Sequence, residues 1–154
     1  MPVTLSRRSL LASAAAMMAL PLRAETPEIH VVKDPGCGCC TAWIDHLTAA
    51  GFIATVEERD AEALAAYKLE MGVPEALASC HTATIAGYVI EGHVPADNIR
   101  KLLAEKPDAV GLTVPGMPYG SPGMGPEAER EAYDVVLINH DGSGTVFARY
   151  SAAT

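Results

Sequence analysis

Three cysteines within four residues constrain this chain more than any other feature. They form the run Cys37-Gly38-Cys39-Cys40. The apolar, β-branched stretch at 29–33 before them predicts a buried strand, which Asp34-Pro35-Gly36 ends. After them, hydrophobic residues recur at helical spacing and predict a helix that begins at Cys39 or Cys40 and ends near Ala50. The cysteines therefore lie where a strand gives way to a helix.

The pattern that follows predicts a single α/β domain. The predicted elements are a strand at 52–56, a helix opened by Asp60 and ended by Gly72, paired strands at 82–85 and 88–91, and a helix between Pro95 and Pro107. Strand–helix–strand–helix, then two strands and a helix, is the order of a thioredoxin-like fold, in which helices flank a mixed sheet. We therefore predict a thioredoxin-like α/β fold.

The C-terminal third of the chain departs from that order. Residues 107–126 contain five prolines and five glycines, and we expect a long connection without secondary structure there, of the kind that is functional or disordered. Strands at 133–139 and 145–150 around Asp-Gly-Ser-Gly then predict a C-terminal β-hairpin added to the thioredoxin-like order.

The first 24 residues predict an export signal. Arg7 and Arg8 precede an apolar run at 11–20, and Ala24 stands before a polar stretch, where we expect cleavage. The arginine pair is compatible with twin-arginine export. The run is about half the roughly 20 residues that a membrane span needs, so we expect a periplasmic protein with no span and one domain at 25–154.

The charge of that domain excludes one class of partner. Removal of the signal leaves eight basic against 19 acidic residues, a formal charge of −11. Nucleic-acid binding needs clustered Lys and Arg, so we expect no nucleic acid as partner. An acidic surface is compatible with the attraction of cations.

The cysteine run alone fits two kinds of chemistry. A helix N-terminus favours thiolate over thiol, and thiolate is both the redox nucleophile and the soft metal ligand. An oxidoreductase needs an attacking and a resolving sulfur, for which Cys37 and Cys40 have the usual spacing. The third sulfur, Cys39, benefits a metal cluster, because each thiolate can bridge two soft ions.

Cys80 favours the metal. In a thioredoxin-like fold, the loop before the third strand passes over the helix N-terminus, so Cys80 would come within reach of the other three sulfurs. We therefore predict a metal site built from Cys37, Cys39, Cys40 and Cys80.

Four sequence blocks in order resemble a known family. They are D-P-G-C-G-C-C-T-A-W (34–43), G-V-P-E-A-L-A-S-C-H-T-A (72–83), Y-V-I-E-G-H-V-P (88–95) and G-L-T-V-P-G-M-P-Y-G-S-P-G-M (111–124). The chain resembles the CopG-like family of periplasmic metal-binding proteins, long catalogued as a domain of unknown function and associated with copper resistance. The resemblance covers residues 29–150. It implies a thioredoxin-like fold, a periplasmic location and a copper site, with several cuprous ions, held by the four cysteines.

Further ligands are weaker candidates. Met117 and Met124 lie in the Pro/Gly-rich connection, and their thioethers suit Cu(I). His81 follows Cys80, and His93 follows the paired strands; either imidazole suits Cu(II). His46 would be roughly 10 Å from Cys39 along the helix, too far for a shared site. We expect His30 and His140 to be structural or solvated.

The leading interpretation is a periplasmic copper-binding protein that holds Cu(I) for copper resistance or homeostasis, with Cu(I)/Cu(II) cycling as an extension and other periplasmic copper-handling proteins as partners. The alternative is a thiol–disulfide oxidoreductase that uses Cys37 and Cys40. A third interpretation is an interaction module held by two disulfides. Zinc fits less well, because the sequence lacks two separated C-x-x-C knuckles.

Overall fold

The computed structural model describes residues 26–154, and the predicted signal at 1–24 lies outside them. The strands are β1 (Glu28–Lys33), β2 (Ile53–Glu58), β3 (Thr82–Ile85), β4 (Tyr88–Glu91), β5 (Gly111–Thr113), β6 (Tyr133–Ile138) and β7 (Gly144–Tyr150). The helices are α1 (Gly38–Ala49), α2 (Ala61–Glu70) and α3 (Ala96–Glu105). Within the described part of the chain, no helix combines the length and apolarity that crossing a membrane requires.

All seven strands form one mixed sheet in the order β2-β1-β3-β4-β5-β6-β7. β1 pairs parallel with β2 and antiparallel with β3, which pairs antiparallel with β4. β5 then pairs parallel with β4 and antiparallel with β6, and β6 pairs antiparallel with β7. The predicted α/β class with a mixed sheet is confirmed.

Helix α1 is anchored to the sheet by one apolar face. Cys40, Trp43, Ile44 and Leu47 recur at helical spacing and predict one apolar face; Cys40, Trp43 and Leu47 are buried, and Ile44 is half-buried. The Trp43 indole donates a hydrogen bond to the carbonyl oxygen of Val94 at 2.9 Å, so its polar atom is satisfied inside the core. This anchoring fixes the position of the helix N-terminus, where the cysteines lie.

Helices α2 and α3 begin and end close to the predicted points. Asp60 caps α2 and accepts a hydrogen bond from the Ala63 amide at 2.9 Å. Helix α3 follows Pro95, and its Ile99 and Leu102 are fully buried. Each helix therefore forms where local capping and spacing favour it.

The predicted long connection at 107–126 needs a correction, because it contains strand β5. Gly111, Leu112 and Thr113 are all buried and are flanked by β4 and β6. Three residues are too few for a periodic signal, and Gly111 is ordinarily a mark of a turn. In this sheet it is required for close approach, since a Cβ there would lie 1.8 Å from the carbonyl oxygen of Val89.

Replacement of Gly111 tests the role of β5. Gly111→Ala would force a Cβ into the backbone of β4, and we expect it to lower the free energy of unfolding by at least about 2 kcal/mol, as overpacking does. Gly38→Ala is the matched control, because a Cβ there meets nothing within 4 Å. Urea unfolding of both variants measures the difference, and equal stability of the two variants would contradict this arrangement of β4 and β5.

Candidate metal centre

The first part of the site is the turn that leads into α1. The Asp34 carboxylate accepts a hydrogen bond from the Gly36 amide at 2.8 Å, and the Asp34 carbonyl accepts one from the Cys37 amide at 3.0 Å. Cys37 is the N-cap, and its sulfur accepts a hydrogen bond from the Cys40 amide at 3.3 Å. The turn thus sets Cys37 at the positive end of the helix dipole.

The four cysteine sulfurs converge as predicted, at two different oxidation levels. Cys37 and Cys40 form a disulfide, whereas Cys39 and Cys80 are free thiols. All four Sγ atoms lie within 4.8 Å of one another. The two loops therefore bring together the sulfurs that are separated by forty residues in the chain, although the structure holds only one of the two disulfides that a disulfide-held module requires.

Two histidines complete the surroundings of Cys80. The Cys80 sulfur lies 3.3 Å from Nδ1 of His81 and 3.0 Å from Nε2 of His93. Both imidazoles are buried, at 0% exposure. One sulfur and two ring nitrogens thus form a second group with metal-ligand spacing, and this group shares Cys80 with the four-sulfur group.

The orientation of His93 is fixed by a carbonyl group. Its Nδ1 lies 2.8 Å from the carbonyl oxygen of Pro122, so the Nδ1–H donates and Nε2 keeps its lone pair. That lone pair faces Cys80. A carbonyl that holds the far nitrogen of an imidazole in this way is the usual outer support of a histidine metal ligand.

His81 is held by aromatic contacts. Its ring packs on Trp43 with centroids 4.3 Å apart and meets the edge of His93 at 5.3 Å. Among residues 26–154, its Nε2 is the buried side-chain nitrogen without a hydrogen-bond partner. The ring nitrogen that contacts Cys80 is the other one, Nδ1, so the unpartnered Nε2 is not part of the group formed by Cys80, His81 and His93.

Burial favours the uncharged forms of Cys80, His81 and His93. Burial, followed by the nearby thiol of Cys39, raises the pKa of Cys80 to about 12. Burial also lowers the pKa of His81 well below 6.5 and lowers that of His93. A thiolate–imidazolium pair is therefore disfavoured, and Cys80 fits a metal ligand, which loses its proton on binding, better than a free nucleophile.

The donor set fits a soft cation. When His81 carries its hydrogen on Nε2, the Cys80 sulfur faces the lone pairs of His81 Nδ1 and His93 Nε2, and a bound cation would take the place of the thiol hydrogen and accept all three lone pairs. Thiolate sulfur and imidazole nitrogen are ligands that copper prefers. Reduction of the Cys37–Cys40 disulfide would add two more sulfurs to the same space.

The two predicted methionines lie on segments that flank the site. Gly116, just before Met117, accepts a hydrogen bond from the Ser79 hydroxyl at 2.5 Å and donates one to Ala78 at 3.0 Å. Met124 follows Gly123, where a Cβ would lie 2.8 Å from the Cys39 carbonyl oxygen. Met117 is 55% exposed, and Met124 is half-buried.

The other histidines lie outside these two groups. His46 accepts a hydrogen bond from the Ala96 amide at 3.3 Å, at the start of α3. His30 contacts Thr55 and Glu57, and His140 contacts Asp108. All three interact with residues away from the sulfurs.

The sequence did not reveal the polar network behind Cys80. Glu91 is fully buried, and its carboxylate lies 2.6 Å from Nζ of Lys68. Burial raises the pKa of Glu91, and the Lys68 ammonium opposes that rise. The sequence feature that could have indicated this network is Glu91 itself, an acidic residue at the end of an apolar strand and two residues before His93.

Comparisons with known proteins find two solved structures and one family model that resemble this chain. The family model described as "Protein of unknown function, DUF411" matches residues 77–124. A solved structure titled "Copper resistance protein copG- Form 1" is 45% identical, covers 83% of this chain and 100% of that chain, and has a TM-score of 0.76. "Form 2" is 47% identical, covers 82% and 99%, and has a TM-score of 0.75. No curated protein matches the chain.

Alkylation of Cys80 tests the uncharged state of the site. In the metal-free Cys39→Ser variant with its disulfide intact, Cys80 is the remaining free thiol. We expect its rate of reaction with iodoacetamide to keep rising above pH 9, because the thiolate is the reactive form and burial raises the pKa of this thiol. Mass spectrometry across a pH series measures the rate. A rate that levels off below pH 9 would contradict the expectation.

Proposed function

This chain belongs to the family of the copper resistance protein CopG, and from that premise we propose that it is a periplasmic protein that holds Cu(I) in a cysteine-rich site for copper resistance or homeostasis. The main support is the convergence of four sulfurs within 4.8 Å. A copper-related function follows from the 45–47% identity to copper resistance proteins. The proposal adds the oxidation state and the ligands.

The copper-holding form is the reduced protein. Reduction of the Cys37–Cys40 disulfide by a thiol donor takes up two electrons and two protons and gives two thiols beside Cys39 and Cys80. Four thiolates in one pocket favour Cu(I), and bridging sulfurs allow several ions. We propose Cys37, Cys39, Cys40 and Cys80 as the ligands. Zinc is the less favoured occupant of the same sulfurs.

The mixed group around Cys80 supports a role beyond storage. His81 and His93 add imidazole nitrogens to a sulfur site, and imidazole suits Cu(II) as well as Cu(I). Cycling of copper between the two oxidation states is therefore part of the proposal. Met117 and Met124, on the two flanking segments, are proposed as additional Cu(I) ligands.

The proposed setting is a thioredoxin-like domain in the periplasm. The order β2-β1-β3-β4, with β3 antiparallel to both neighbours, supports a thioredoxin-like core, and the antiparallel β6 and β7 support a hairpin extension. The N-terminal pattern supports export, with residues 25–154 as the mature domain. Other periplasmic copper-handling proteins are the proposed partners.

Anaerobic titration with Cu(I) against a competing chelator tests the proposal. We expect the reduced mature protein, isolated from the periplasmic fraction, to bind at least one tightly held ion. Cys39→Ser and Cys80→Ser should each weaken binding at least about tenfold, since even loss of an outer support costs that much. Met117→Ala tests the proposed thioether ligand and should also weaken Cu(I) binding. Met71→Ala, on the turn after α2, is its control.

Two results would contradict the proposal. One is less than one tightly bound ion per reduced chain. The other is unchanged binding in both serine variants. The intact mass of the periplasmic protein reports cleavage after Ala24 in the same preparation.

A second candidate function is thiol–disulfide exchange. The disulfide between Cys37 and Cys40 at a helix N-terminus favours it, because this is the position of a redox-active pair. Cys37, the more exposed of the two, would be the nucleophile, and the buried Cys40 would resolve the mixed disulfide.

Insulin reduction separates this candidate from copper binding. If the protein exchanges disulfides, turnover should be lost in Cys37→Ser and retained in Cys39→Ser and Cys80→Ser. The turbidity of precipitating insulin chains measures it, with dithiothreitol as reductant. If the protein holds copper, Cys39→Ser and Cys80→Ser should weaken Cu(I) binding. If it exchanges disulfides, the same two variants should keep insulin reduction, so the two assays together separate the functions.

A further inference from the structure

We propose that Glu91 is a positioning residue of the metal centre. Its buried carboxylate holds the segment Ser79–Thr82 in the conformation that presents Cys80 and His81 to the site. The inference rests on the proposed copper-binding function and adds to it a residue that does not itself contact the metal.

One carboxylate receives three donors. Oε1 accepts from the Ser79 amide at 2.6 Å and from Lys68 Nζ at 2.6 Å. Oε2 accepts from the Thr82 hydroxyl at 2.6 Å. Ser79 and Thr82 are the residues on either side of the Cys80–His81 pair. Glu91 therefore accepts hydrogen bonds from the residues on both sides of the Cys80–His81 pair.

Gly92 adds a further hydrogen bond to the same segment. Its amide donates to the carbonyl oxygen of His81 at 2.9 Å, and its φ of +70° is one that glycine adopts freely. A Cβ at this position would lie 2.2 Å from the Ser79 hydroxyl oxygen. The segment with the ligands thus lies directly against the end of β4.

The network also reaches the other ligand-bearing segments. Ser79, held by Glu91, donates its hydroxyl to Gly116, next to Met117. His93 lies two residues after Glu91 on the same chain segment. The buried carboxylate is therefore linked directly by hydrogen bonds to the segment of Cys80 and His81, through two residues of chain to His93, and through two successive hydrogen bonds to the segment of Met117.

Only a carboxylate can accept from all three donors that converge on position 91. Three donors converge, and a carboxylate offers two acceptor oxygens, whereas the glutamine amide offers one oxygen and turns its NH₂ group toward a donor. A buried ion pair with Lys68 adds little net stability compared with apolar packing. Its presence beside the ligands is better explained by the geometry it imposes on them.

Glu91→Gln is the direct test. We expect the variant to fold, to show faster hydrogen exchange at the Ser79 amide, and to bind Cu(I) about 10- to 100-fold more weakly than the wild type, the usual effect of losing an outer support of a metal site. The Cu(I)–thiolate absorption band should shift as well. Thr82→Val removes one of the three donors, should weaken Cu(I) binding in the same direction by less, and serves if Glu91→Gln does not fold.

Tyr150→Phe is the matched control for lost stability. It removes a 2.6 Å hydrogen bond from the tyrosine hydroxyl to Asn98, on β7 and α3. We expect it to lower the melting temperature and to leave Cu(I) affinity and the absorption band unchanged. An equal loss of affinity in Tyr150→Phe and Glu91→Gln would overturn the positioning role, because instability alone would then explain it.

The outcomes separate the inference from the function on which it rests. Wild-type protein that binds no Cu(I) would overturn the copper function, and with it any role of Glu91 toward copper. Wild-type protein that binds Cu(I), with Glu91→Gln and Thr82→Val within twofold of it, would overturn the positioning role alone.

Discussion

The approach of the loop Ser79–Thr82 to the N-terminus of α1 is the contact on which the site depends. The cysteines of α1 gain a fourth sulfur only because this loop brings Cys80 within 4.8 Å of them. The contact is held from the apolar side by the His81 ring on Trp43 and from the polar side by Glu91. Packing and hydrogen bonding thus converge on a segment of four residues.

The sequence predicted the elements whose signals are local. The buried face of α1, the cap at Asp60 and the pairing of β3 with β4 each follow from spacing or turn chemistry within about a dozen residues. The position of Cys80 was also predictable, although it is a long-range contact, because the order of elements places that loop over the helix. The contact of Cys80 with the cysteines near the start of α1 therefore follows from the order of the elements, not from a local pattern.

The remaining features depend on contacts that no local pattern encodes. Strand β5 is three residues long and exists because β4 and β6 flank it. The lone pair of His93 faces Cys80 because Pro122, 29 residues later, accepts the other ring hydrogen. The partners Lys68 and Glu91 are 23 residues apart and lie on a helix and a strand. Each required the tertiary structure.

The electrostatics of the candidate site favour uncharged ligand groups within an acidic protein. Burial lowers the pKa of both imidazoles and raises that of the Cys80 thiol, and the carboxylate of Glu91 is paired with Lys68. A cation bound there would displace a proton from sulfur, so its charge would be compensated by the thiolate that forms. The acidic surface attracts cations in general, whereas this exchange of a proton for a metal favours ions that bind sulfur strongly enough to displace it.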